Sequence, residues 1–73
     1  MDRNALQLRL QRAEELVQRV EENISFQQQM IATLKQGGHD VKAATMFLRR
    51  LQARQAKHIA DRDRLFKELA NPS

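Results

Sequence analysis

Apolar residues recur along this chain at steps of three and four, with one break near the middle. In the first half the series Arg3, Leu6, Leu10, Ala13, Val17, Val20, Ile24, Gln27, Ile31 and Leu34 follows a heptad template, and eight of its ten members are apolar. That spacing lays side chains along one stripe of an α-helix. It predicts a first helix over about 2–36, roughly 50 Å long at 1.5 Å per residue. Asp2 stands where an N-cap belongs, and Lys35 suits the negative end of the helix dipole. Gly37 is expected to supply the left-handed residue that closes the helix, and Gly38 the freedom for the chain to reverse.

After the turn at 37–40, Asp40 is expected to cap a second helix over about 41–70 by accepting from the backbone N–H of Lys42 or Ala43. Asn71-Pro72 should end it, since proline donates no backbone hydrogen bond and disfavours helix in the residue before it. The heptad series here is Val41, Ala44, Leu48, Leu51, Gln55, His58, Arg62, Leu65 and Leu69, with its three polar members in a row. A four-residue step to Ile59 and then to Phe66 recovers apolar side chains, and predicts a stutter that straightens or turns the helix locally.

The two stripes match as antiparallel partners. Leu34 with Val41, Ile31 with Ala44, Gln27 with Leu48, Ile24 with Leu51, Leu10 with Leu65 and Leu6 with Leu69 all have positions summing to 75. The expected fold is therefore all-α: one domain over 1–73, an antiparallel two-helix hairpin of coiled-coil type.

Composition narrows the picture. Seventy-three residues bury little apolar surface, and a chain of this size gains stability from disulfides, a metal or a partner subunit. There is no cysteine, and His39 and His58 are too far apart, about 28 Å along a helix, to share a metal within one chain. Association is the remedy left. No segment has the apolar length of a signal peptide or a membrane span, so the expectation is a soluble cytoplasmic protein.

Apolar residues remain once the seam is filled. Leu16, Met30 and Phe47 flank it on one side, with Phe26 one turn before Met30, and these four are the expected interface of a homodimer forming a four-helix bundle. Gln55, His58 and Arg62 lie opposite Val20, Val17 and Ala13. Polar residues in such a seam fix register and oligomeric state, with Arg62 and His58 expected to reach Glu14 or Glu21 across the edge. The alternative, His58 as a ligand or proton-transfer group, lacks converging partners, because two smooth helices offer no pocket. No nucleophile–base, paired-carboxylate or phosphate-loop pattern is present, so no enzyme activity, cofactor or resident metal is expected.

Charge supplies a second functional reading. The first helix is balanced, and all of the net +4 sits on the second, where Arg50, Lys57 and Arg64 form a heptad-spaced outer stripe. A basic helix can bind nucleic-acid phosphates, although Asp61 and Asp63 interrupt this one and no exposed aromatic platform is expected beside it. Membrane-surface binding is not expected, since the apolar stripe is committed to the hairpin.

The Gln-rich segment before Ile31-Ala32-Thr33-Leu34, the turn Gly38-His39-Asp40, the following Ala43 and Ala44, and the close His58-Ile59-Ala60-Asp61-Arg62-Asp63-Arg64-Leu65 resemble a group of short uncharacterised bacterial proteins, most familiar from alphaproteobacteria. The resemblance spans roughly 6–70. It implies a helical hairpin with a Gly-His-Asp turn and no particular chemistry. The function expected is that of a non-enzymatic, self-associating interaction module, with room for a further protein partner. Nucleic-acid binding by the basic second helix is the alternative.

Overall fold

The computed structural model describes residues 2–71 and consists of α1 (Arg3–Gln36) and α2 (Lys42–Ala70), folded back on each other over their lengths. The molecule is a rod of 57 × 14 × 13 Å, the dimensions of two side-by-side helices. In α1, every residue withdrawn from solvent belongs to the predicted heptad stripe; only its first member, Arg3, is exposed. Leu6, Val20, Ile24, Gln27 and Ile31 are buried, and Leu10, Ala13, Val17 and Leu34 are half-buried.

In α2 the unbroken heptad prevails over the stutter. Leu65 is 7% exposed whereas its neighbour Phe66, which the stutter would have turned inward, is 63% exposed. Gln55, His58 and Arg62 keep their places on the stripe, buried or half-buried, and Ile59 lies half-buried at its edge. The physical reason is that the Gln55 amide nitrogen finds acceptors within the seam and the long Arg62 side chain leaves by its edge. The Gln55 amide nitrogen donates to the Val17 carbonyl at 2.8 Å and to Glu21 Oε2 at 3.2 Å. Arg62 turns outward to Asp63 at 3.0 Å instead of pairing with Glu14 or Glu21, and His58 makes neither of those pairs.

The cross-helix hydrogen bonds carry the register. Gln27 Nε2 donates to the Ala44 carbonyl at 3.2 Å, Gln55 to Val17, and Arg3 Nη1 to the Leu69 carbonyl at 3.2 Å. The joined positions sum to 71, 72 and 72, so one antiparallel offset holds along the rod, and Ile24, Leu48 and Leu51 pack in one core cluster as the pairing read from the sequence requires. A carbonyl oxygen has a second lone pair, so the two glutamine bonds add to the helix ladder without breaking it, while Arg3 serves a last-turn carbonyl that the ladder leaves open.

The bend corrects one assignment. Gly37 adopts φ −81°, an ordinary right-handed value, and the left-handed residue is Gly38 at φ 77°. His39 N–H bonds to the Leu34 carbonyl and Gly38 N–H to the Lys35 carbonyl, both at 3.0 Å, which is the Schellman closure with Gly38 at C′. The His39 ring folds over the bend, so that a methyl group on Gly37 would lie 3.0 Å from its Cδ2. Asp2 caps α1 as expected, accepting from the Asn4 N–H at 3.3 Å, whereas the N-cap of α2 is Val41, without a side-chain cap bond; Asp40 stands one residue earlier, its carboxylate accepting from the Lys42 N–H at 3.0 Å as foreseen. Helix α2 ends at Ala70, while the proline expected to stop it, Pro72, lies outside the described residues.

Candidate interaction surfaces

The observed seam fixes which residues share each flank of the hairpin. Side chains immediately preceding Leu10, Val17 and Ile31 in α1 lean to one side of the seam, and those following Ala13, Val20 and Gln27 lean to the other. Because the helices are antiparallel, the residues preceding Leu48 and Gln55 in α2 join the first set, and those following His58 and Leu65 join the second. The first flank therefore holds Arg9, Leu16, Met30, Phe47, Arg54, Asp61 and Glu68, with Arg12, Arg19, Phe26, Arg50, Lys57 and Arg64 just outside them. The second holds Glu14, Glu21, Lys35, Ile59 and Phe66, with Lys42, Arg49 and Asp63 just outside them.

An open groove of about 820 Å³ runs along the second flank, with Leu10 and Val17 at its base and Glu14, Glu21, Glu22, Asp63 and Phe66 around it. The expectation of two smooth helices without a concavity is thus not met. Of the polar groups at the groove, Glu21 accepts from Gln55 and Arg62 pairs with Asp63. Gln55 Oε1 is buried without a hydrogen-bond partner.

On the first flank, Leu16, Phe26, Met30 and Phe47 are all exposed. They are not one cluster. In the observed register Phe26, Met30 and Phe47 lie within about one helical turn of one another near the bend, whereas Leu16 stands about 15 Å nearer the open ends. Phe26 and Phe47 thus place two exposed aromatic rings on the flank that carries Arg50, Lys57 and Arg64, which the sequence reading did not foresee. Leu8 and Met46 are also exposed and face outward, away from the partner helix.

The fold sorts the charges of α1. Arg9, Arg12 and Arg19 fall on the same flank as the basic stripe of α2, while Glu14 and Glu21 fall on the groove flank, with Glu15 and Glu22 on the outer edge beside it. A helix balanced in sequence becomes two-sided in space. Arg64 is held by Asp61 at 3.5 Å, whereas Arg12, Arg19, Arg50, Arg54 and Lys57 make no ion pair with any described residue.

Among the described residues no group of three or more His, Asp and Glu side chains is placed to hold a metal ion, and no helix is long and apolar enough to cross a membrane. Comparison with family models, with curated proteins and with solved structures finds no match to this chain.

Proposed function

We propose that this hairpin is a non-enzymatic interaction module that self-associates through its first flank, forming a four-helix bundle. The observation that carries the reading is the thinness of the core beside the size of what is left outside it. Among the described residues no side chain is fully buried, and the core cluster comprises Val20, Ile24 and Leu51 with Leu48 packed against it. Phe26 meanwhile is 64% exposed, and Met30 and Phe47 are exposed beside it. Fully burying a large apolar side chain is worth roughly 1.5–3 kcal/mol, and these three are about half exposed, so covering the patch adds on the order of 2–5 kcal/mol per copy, a large part of a small domain's stability.

A second copy supplies the same three residues in return, as a two-fold interface requires. Leu16 extends the apolar surface toward the open ends. Sedimentation equilibrium at micromolar concentration tests the reading. A dimer whose dissociation constant rises by tenfold or more in Phe47→Glu is the expected result, and a well-folded monomer across that range refutes it.

A further inference from the structure

We infer that the first flank is also a binding surface for the phosphate backbone of duplex nucleic acid, built jointly by both helices. The sequence places a basic stripe on the second helix alone; the fold adds Arg12 and Arg19 of the first helix to the same side. In the observed register Arg12 and Arg19 face Arg50, Arg54 and Lys57 over about 20 Å of the rod, in two rows on adjacent helices whose axes lie about 8–10 Å apart. All five are exposed, and none is neutralised by an ion pair with a described residue. A duplex presents about a dozen phosphate charges along 20 Å of its axis.

Three features favour duplex over other polyanions. Four of the five cations are arginines, whose planar fork matches phosphate oxygens two at a time. The exposed aromatics Phe26 and Phe47 gather at the bend end beside Arg50, and none stands among Arg12, Arg19, Arg54 and Lys57, where a single-strand stacking track would require it. Leu16 is the one large apolar side chain along the cationic stretch, too little to insert into a lipid surface. The carboxylates of α1 point to the groove side or outer edge; those of α2 on this flank, Asp61, paired with Arg64, and Glu68 near the open ends, are fewer than its cations, so the face is net cationic and the molecule orients as it approaches a polyanion. Phe26, Met30 and Phe47 lie nearer the bend, Leu16 alone being shared with the cationic stretch, and the argument from charge does not depend on the association reading.

The test is binding of the full chain to labelled 20-base-pair DNA and RNA duplexes, titrated across salt. The expected result is binding to at least one duplex at ~50 mM salt, with a log–log salt slope between about −3 and −6. The triple variant Arg12→Gln/Arg54→Gln/Lys57→Gln should lose about tenfold or more in affinity. Lys35→Gln/Lys42→Gln/Arg49→Gln removes the same charge from the other flank, and should lose less than about threefold. The single variant Arg19→Gln, with helicity checked by circular dichroism, measures the first helix's share with little risk to folding and should weaken binding measurably. No binding to either duplex at low salt overturns the proposal, as do equal losses in the two triples or an Arg19→Gln variant that binds like the parent. Binding to phosphatidylserine vesicles without binding to duplex overturns it in favour of a membrane surface.

Discussion

At the scale of single residues, two adjacent glycines have unlike duties. Gly38 is held at φ 77° between two Schellman hydrogen bonds, a conformation in which a Cβ crowds the following carbonyl. Gly37 is right-handed, and the nearest obstacle to a methyl group there is the His39 ring, the movable end of an exposed side chain. Gly38→Ala should therefore cost about 1 kcal/mol, and Gly37→Ala should be near neutral once His39 shifts. Urea denaturation followed by circular dichroism, at one fixed protein concentration, distinguishes them; a larger loss in Gly37→Ala contradicts the assignment. Sequence alone could locate the bend, since nowhere else in the chain does a glycine occur, but it could not rank the pair. Which glycine turns left-handed depends on whether the last helical turn closes on Leu34 or one residue earlier.

Glutamine is the other instructive residue. Gln27 and Gln55 are buried at seam positions, and each donates its amide to a carbonyl of the opposite helix. Such a bond is worth about 0.5–1.5 kcal/mol net, and it is met only when the two rods stand at one axial offset. Apolar side chains slide past one another more readily than an amide leaves its carbonyl. Gln27 and Gln55 therefore act as register pins, the role expected of polar seam residues, reached through different partners from those foreseen for His58 and Arg62.

At the scale of the helices, the first was legible almost completely, because its stripe has no competitor. The second offered two stripes, and a preference for apolar side chains alone favours the one through Ile59 and Phe66. The strict heptad is kept because Gln55 finds partners in the seam and Arg62 leaves by its edge, so burying Leu65 costs no unsatisfied charge. Leu65→Ala should then cost about 2 kcal/mol or more, and Phe66→Ala less than about 0.5 kcal/mol. Thermal unfolding of the two variants at matched concentration checks the order, and a stuttered helix would reverse it.

At the scale of the whole molecule, what the sequence conceals is sidedness. Residue counts show a neutral first helix and a basic second one; only when both seams are known does it follow that Arg12 and Arg19 share a face with Arg54 while Glu14 and Glu21 share one with Phe66. The same step divides the four expected interface residues into a patch of three near the bend and an isolated Leu16. It also reveals the groove, which belongs to neither helix alone. Periodicity is a one-dimensional property, and a flank exists only after two periodicities have been set against each other.

The constant pairing sum has a consequence for the molecule's length. A rod whose partners are all counted from one bend behaves like a zip fastener: teeth can be removed without jamming it, provided that equal numbers leave both tapes. Excising 11–17 together with 58–64 removes one facing heptad from each arm, and should yield a hairpin about 10 Å shorter in which Leu10 still meets Leu65. Excising 11–17 alone leaves the far end of α2 with nothing opposite it. Small-angle scattering and helicity should show the paired excision as a compact shorter rod and the single one as a frayed, less helical chain. Equal behaviour of the two would mean that the bend does not set the count. Length in this architecture is thus adjustable, but only in matched seven-residue steps.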